Sequence, residues 1–337
     1  MSRTLITGAT GFIGEHLVRL IAGLGIPVRC LVRTAAKAEG LRPWGPEIVY
    51  GDATDPSSLD AAVRGCDTVL HLAGLTKAIR HGALWDVNER GTRHLASAAA
   101  RQPTPPTLVY VSSLAAAGPC VDGRPRGIDD GAQPCSDYGR SKRAGEVALM
   151  EFADRMPITI VRPPIVLGEG DRDGLELFRP IQRWRMHLVP GRDAGLYSVI
   201  HAADLAAAVW AAAGRGRRLR EGDDRTGVYF VAADERFTYG DLGRRVATAL
   251  GIDRVRVIEA PRAAVWGVAG ANQVVAMLRR KPHILGWDKA REATAGGWAC
   301  DDTVFRQDSD FRPQKGIDER LAETVAWYRA RGWLPAR

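Results

Sequence analysis

Thr7-Gly8-Ala9-Thr10-Gly11-Phe12-Ile13-Gly14 is the stretch on which the rest of the chain is read. Counted from Gly8, glycines fall at its first, fourth and seventh positions. The β-branched run Thr4 to Thr7 precedes it. The segment Phe12 to Ala22 follows, with Ile13, Leu17, Leu20 and Ile21 on one face at helical spacing. In a turn between strand and helix, the first glycine permits the tight bend and the second lets backbone approach a pyrophosphate. The third lets helix and strand pack closely, and the helix N-terminus offers free N–H groups and a positive dipole to phosphates. Gly8, Thr10, Gly11, Phe12, Ile13 and Gly14 are therefore candidate dinucleotide contacts.

Further strand-like runs follow at Pro27 to Val32, Glu47 to Tyr50, Thr68 to His71, Leu108 to Val111 and Ile158 to Arg162. Glu89 to Arg101 and Tyr138 to Arg155 have helical spacing between them. Such alternation requires crossover connections, hence a doubly wound parallel α/β sheet of the Rossmann kind, covered on both faces. After Arg162 the rhythm changes to a glycine-rich stretch at 168–174, a helical segment with Leu177, Phe178, Ile181 and Trp184, and a Pro190-Gly191 turn. Val199 to Trp210 and Val228 to Val231 read as a return to the sheet. The expected division is a nucleotide-binding domain of residues 1–167 and 197–233, and a smaller mixed substrate domain of residues 168–196 and 234–337.

The bulk properties narrow the classes. The chain has 337 residues, 26% of them charged and 45% hydrophobic, with a net charge of +8. It contains no run of eighteen uncharged apolar residues, and a strand begins directly after Met1, so a cytoplasmic location is the default expectation. The five cysteines, Cys30, Cys66, Cys120, Cys135 and Cys300, form no C-x-x-C pair and have no histidines at ligand spacing, which argues against a metal site. Arginines concentrate at 215–220 and 279–281 without aromatic interleaving or a helix-turn-helix, so a solvated surface is favoured over nucleic acid as a partner.

The second strand ends in Leu31-Val32-Arg33-Thr34, where a binder of unphosphorylated dinucleotide usually carries an acid for the ribose hydroxyls. The guanidinium of Arg33, with Lys37 nearby, instead suits a 2′-phosphate. NADP(H) is the favoured cofactor, with NAD(H) as the alternative.

Tyr138 and Lys142 are four apart in a helical segment and emerge on one face. A phenol ionises near pH 10, too high for a base at neutral pH, and a nearby ammonium lowers that value. Ser113, just past the C-terminal end of a central strand, lies where doubly wound sheets bind ligands and can hydrogen-bond a substrate oxygen. Hydride then passes between nicotinamide and a carbinol carbon while Tyr138 handles the proton.

With these motifs in place, the chain resembles the extended short-chain dehydrogenases/reductases, the group of nucleotide-sugar epimerases, dihydroflavonol reductases and 3β-hydroxysteroid dehydrogenases. The resemblance covers essentially the whole length. It rests on the opening TGATGFIG, Gly51-Asp52-Ala53, His71-Leu72-Ala73-Gly74, Val87-Asn88 with Gly91-Thr92, Val111-Ser112-Ser113, Tyr138-Gly139-Arg140-Ser141-Lys142 and Arg162-Pro163-Pro164. It implies Ser113 rather than Ser112 as the catalytic hydroxyl. It also implies Asp52 and Ala53 against the adenine, Leu72, Ala73 and Gly74 beneath the ribose and phosphates, and Pro163, Ile165 and Val166 beside the nicotinamide. Asn88 is implied behind the active site and counted with the cofactor contacts. A homodimer through the Tyr138 helix and its neighbour is implied as well.

The substrate is a small molecule. Sugar-nucleotide enzymes of the resembling group carry an Arg-Asp pair just before an Ile-His-Val segment. Here Tyr197-Ser198-Val199-Ile200-His201 lacks it, although Arg192-Asp193 occurs earlier. A nucleotide diphosphate would then be poorly compensated. Ala263 to Leu278 is nearly uncharged and is followed by Arg279-Arg280-Lys281, which reads as core, as the lining of a greasy pocket, or as a peripheral membrane contact through 263–281. These features favour interconversion of an apolar, steroid-like or polycyclic alcohol and ketone. The alternatives are a nucleotide-sugar epimerase or dehydratase that retains its NAD, and a non-catalytic dinucleotide-binding regulator.

Overall fold

A computed structural model describes residues 3–80, 82–279 and 286–336. Strands β1 (Thr4–Thr7), β2 (Val28–Val32), β3 (Glu47–Tyr50), β4 (Thr68–His71), β5 (Thr107–Val111), β6 (Ile158–Arg162) and β10 (Val228–Phe230) form one seven-stranded sheet in the order β10-β6-β5-β4-β1-β2-β3. Every pairing in it is parallel. Period-two alternation divides its side chains between two cores. Ile6, Cys30, Leu70, Val109 and Val161 pack on one face, and Leu5, Leu31, Val69, Leu108 and Ile160 on the other.

Chain order reverses between β1 and β4, whose last residues, Thr7 and His71, are register partners. Loops leaving the carboxyl ends of adjacent strands diverge at such a reversal and open a crevice, where doubly wound sheets bind ligands. The glycine turn after β1, Leu72–Gly74 after β4 and Ser112–Ser113 after β5 all rise around it.

The segment after residue 196 departs from expectation. Val199 to Trp210 is not one return to the sheet. Strand β9 (Leu196–His201) pairs with β7 (Ile165–Leu167) and β11 (Arg236–Thr238) in a separate three-stranded sheet. His201 ends the strand by accepting a hydrogen bond from Ala203 N at 3.2 Å, and the alanine-rich helix Ala202–Arg215 begins. That helix packs on helix Phe12–Gly23 and the main core. The segment at 228–231 does join the main sheet through β10. β8 (Met186–Pro190) and β12 (Arg256–Ala260) form a parallel pair, and helices Leu175–Trp184, Tyr239–Leu250 and Ile317–Ala330 enclose a third core with Phe178, Leu242 and Tyr328. Phe305 and Phe311 reach back from the C-terminal part into the main core.

The helix that carries Tyr138 and Lys142 spans Asp137–Met150 and is capped by Ser136, whose hydroxyl accepts from Gly139 N at 2.9 Å. It lies close against its neighbours at Gly145, where a Cβ would stand 2.2 Å from Asn88 O and 2.7 Å from the Tyr110 hydroxyl. Only glycine allows that approach, so the depth of the helix against β5 is set by contact.

Candidate active site

Gly8 turns at φ +73°, and a Cβ on it would meet Ala73 N at 2.6 Å. A Cβ on Gly14 would lie 2.2 Å from Gly8 O. Both glycines are thus required by the protein's own packing. Gly11 differs: it is exposed, and a Cβ there would meet only Gly8 O, at 3.2 Å. The space over Gly11 faces the first turn of helix Phe12–Gly23, which has no side-chain cap. N–H groups at this end lack intrahelical partners, so a shallow cradle of donors stands beside the crevice and fits a pyrophosphate. Thr10, Phe12 and Ile13, all partly buried, flank it.

At the end of β2, the Arg33 side chain is 58% exposed and lies 3.9 Å from the Asp52 carboxylate. Asp52 also accepts from Thr54 N and Thr54 Oγ1 at 2.9 Å. Ala53 is buried. After β4, Leu72 N and Ala73 N bond to Thr7 O and Thr7 Oγ1, so this loop and the glycine turn are one unit. Pro163 is buried with its carbonyl accepting from Leu114 N at 2.8 Å, while Ile165 and Val166 are partly exposed.

Asn88 is placed behind the crevice, and its amide is fully engaged there. Its oxygen accepts from Leu75 N at 2.8 Å, and its nitrogen donates to Leu75 O and Ser141 Oγ, each at 2.9 Å. With no exposed surface, it ties the loop after Gly74 to the Tyr138 helix and has no donor left for a cofactor.

The two serines after β5 have separate fates. Ser112 is buried and donates to Glu146 Oε1 at 2.5 Å. Ser113 is partly exposed, caps the short helix Leu114–Ala117 by accepting from Ala115 N at 3.1 Å, and adjoins the Tyr138 phenol. Glu146 is also the centre of a buried ion pair, bound to Arg162 Nε and Nη2 at 2.8 and 2.7 Å. This bidentate pair joins the Tyr138 helix to β6 one turn past Lys142.

Tyr138 is partly buried against Leu114, Ala115, Phe230, Trp298 and Tyr197. Burial pushes its phenol above the usual value and Glu292 adds to the rise, while the Ser113 hydroxyl and the Lys289 ammonium oppose it. Lys142 is buried, donates to Val111 O at 2.7 Å and sits 4.2 Å over the Tyr110 ring. Burial pulls its pKa down to about 7, against the pull of Glu146. The sequence pattern points to Lys142 as the cation tuning the phenol. In the structure, Lys142 is held toward β5 and Gly74, where a Cβ would lie 3.6 Å from its Nζ, and the Lys289 ammonium is a second cation that favours the ionised phenol.

Sequence reasoning missed the helix Trp287–Thr294 altogether. Asp288 accepts from Asp137 N at 2.6 Å and Tyr138 N at 2.9 Å, a carboxylate at the N-terminus of the Tyr138 helix. Glu292 accepts from Ser136 Oγ at 2.6 Å and pairs with Lys289 at 2.7 Å. The i, i+4 spacing of Asp288 and Glu292 was the available signal, but it reads equally as an ordinary solvated face. Beyond Tyr197, a cleft of about 630 Å³ opens between Arg192, Glu259, Arg262 and Thr294. Asp193, beside it, is engaged by Gly240 N and Thr238 Oγ1.

The arrangement is a phenol and a hydroxyl side by side at the carboxyl edge of a parallel sheet, next to a phosphate cradle. The model of the NAD dependent epimerase/dehydratase family matches residues 4–226. A ceramide reductase of Caulobacter vibrioides is 33% identical over 98% of this chain and 95% of that one. The human 3 beta-hydroxysteroid dehydrogenase type 7 is 30% identical over 55% of this chain and 57% of its own. In structure, a dTDP-glucose 4,6-dehydratase of Streptomyces venezuelae, solved with NAD, superposes with a TM-score of 0.74 at 21% identity, covering 98% of each chain, which shows the shared fold. The chain belongs to the NAD dependent epimerase/dehydratase family, and within it is an NAD(P)-dependent oxidoreductase of the extended short-chain dehydrogenase type.

Proposed function

We propose that the chain interconverts a secondary alcohol and a ketone on an apolar lipid or polycyclic substrate, with NADP(H) as its dinucleotide. One observation carries the reading: Ser113 and Tyr138 adjoin each other in an apolar cluster that opens, past Tyr197, toward the cleft. A bound nicotinamide supplies or accepts the hydride. Tyr138 gives its proton to the carbonyl oxygen or takes it from the alcohol, and Ser113 hydrogen-bonds that oxygen. Gly8, Thr10, Gly11, Phe12, Ile13 and Gly14 hold the pyrophosphate. Asp52 and Ala53 flank the adenine, Leu72, Ala73 and Gly74 the ribose, and Pro163, Ile165 and Val166 the nicotinamide. Lys142 is the cation on the cofactor side of the phenol and Lys289 the cation on the substrate side. The ceramide reductase and hydroxysteroid dehydrogenase relatives support a lipid-like substrate.

A panel assay of NADPH oxidation and NADP+ reduction against long-chain keto-lipids, steroids, flavonoids and nucleotide sugars tests the reading. Activity on keto-lipids or steroids is expected, and activity confined to nucleotide sugars would end it. The sugar reading has its own support, since Arg192 and Arg262 both line the cleft and suit a diphosphate. Stoichiometric dinucleotide absorbance that persists through gel filtration would favour it. For the cofactor, exposed Arg33 at the β2 end supports NADP(H). Arg33→Asp should lose the preference for NADPH over NADH in KM, and an unchanged ratio would remove that part of the proposal.

A further inference from the structure

Helix Arg262–Arg279 is 18 residues long, and residues 263–278 include no Asp, Glu, Lys or Arg. Its inner face is packed: Val265 and Ala269 join Ala290 in a small core, and a Cβ on Gly270 would meet the Trp287 ring at 3.4 Å. Its outer face is not. Ala264, Gly267, Val268, Ala271, Val274 and Val275 are exposed, and their spacing lines them up along one side of the helix. Val268 is 51% exposed and Val274 57%, and Trp287, 44% exposed, stands on the neighbouring helix. Among the described residues, no side chain covers this stripe. A helix face turned to water ordinarily carries charge, and this chain has 26% charged residues to draw on.

We propose that this helix docks the protein on an anionic lipid bilayer, lying flat with the stripe in the headgroup boundary. Flat is the geometry that fits, because no helix among the described residues is long and apolar enough to cross a membrane. Charge identifies the surface. Arg262 opens the helix and Arg279-Arg280-Lys281 follow its apolar part in sequence, with residues 280 and 281 outside the described residues. Cations that flank an apolar stretch in the sequence, in a chain of net charge +8, complement anionic headgroups. A second copy of the chain fits less well. One narrow face of alanine, glycine and valine buries far less than the roughly 1,200 Å² of a stable interface. Either orientation of two such helices would also bring arginines together.

The helix starts at the mouth of the cleft. Pro261 and Arg262 line one side of it, and Ala293 and Thr294, from the helix after, line the other. A docked protein therefore holds this opening close to the bilayer, where an apolar substrate resides. This link to the cleft rests on the lipid reading of the substrate, whereas the docking does not.

The test is co-sedimentation of the full chain with phosphatidylcholine vesicles, with and without phosphatidylglycerol. Wild type should pellet with the anionic vesicles, and added salt should release part of it. Val268→Glu combined with Val274→Glu should weaken binding at least about tenfold, with melting temperature and NADPH affinity unchanged. Neutralising Arg279, Arg280 and Lys281 to Gln should abolish the dependence on phosphatidylglycerol. The proposal is overturned if wild type stays in the supernatant with both vesicles, or if the double variant pellets like wild type. A dimer in solution that the double variant converts to monomer would assign the stripe to a second copy instead. Vesicle binding without turnover of any keto-lipid would count against the substrate reading alone.

Discussion

Gly14 and Asp288 belong to two walls, one at the glycine turn and one beside Tyr138, and each is held by a different kind of force. On the nucleotide side, backbone packs on backbone: the Cβ that Gly14 lacks would be 2.2 Å from Gly8 O, and Gly8 is pressed against Leu72 and Ala73. Nothing there can move without a clash. On the substrate side, helix Trp287–Thr294 is fastened to the Tyr138 helix by carboxylates, with Asp288 on two backbone N–H groups and Glu292 on Ser136. Those bonds depend on side chains that substitution can exchange without disturbing the sheet. A wall held by backbone contact tolerates little change, whereas one held by side-chain carboxylates is freer to vary.

The largest expected effect lies beneath both walls, at the buried ion pair that ties the Tyr138 helix to β6. Arg162→Met leaves Glu146 buried without its bidentate partner, and a loss of about 3–5 kcal/mol is expected in urea unfolding. Next come two glycine variants that separate packing from ligand contact. Gly14→Ala should cost about 1–3 kcal/mol of stability through overpacking and also reduce NADPH affinity. Gly11→Ala should cost less stability, because a Cβ there meets only Gly8 O, but still weaken NADPH binding if the space over Gly11 takes the pyrophosphate as proposed. Equal losses of stability in the two would erase the distinction. The smallest effect belongs to the other wall. Asp288→Asn removes a carboxylate from a helix N-terminus and should lower stability by about 1 kcal/mol, raising KM for the ketone while leaving NADPH affinity unchanged. A change in NADPH affinity instead would mean that the two walls are coupled.

The same contrast explains what could be read from sequence. β1, β3, β4 and β6 begin and end where the patterns put them, because their runs are locally encoded by β-branched residues between turn formers. The glycine turn was legible for the same reason: strand, turn and helix are contiguous. β9 was misassigned because Val199 and Ile200 suit any buried sheet, and nothing local says which one. The roles of Asp288 and Glu292 could not be read locally because their partners on the Tyr138 helix lie about 150 residues away, and only the folded chain brings them together. Asn88 was placed behind the site by the family resemblance alone, and its ties to Leu75 and Ser141 depend on the π-helical turn Asp86–Gly91, which helical spacing does not announce.

In the proposed reaction, Tyr138 transfers a proton while hydride moves between a released dinucleotide and the substrate. Turnover of a keto-lipid with NADPH deuterated at nicotinamide C4 tests it most directly. Deuterium should appear on the carbinol carbon of the product with one NADP+ released per alcohol, and Tyr138→Phe should slow the reaction by about 10²–10⁴-fold without weakening NADPH binding. Turnover that leaves the dinucleotide bound and unchanged overall, or a Tyr138→Phe variant as fast as wild type, would contradict it.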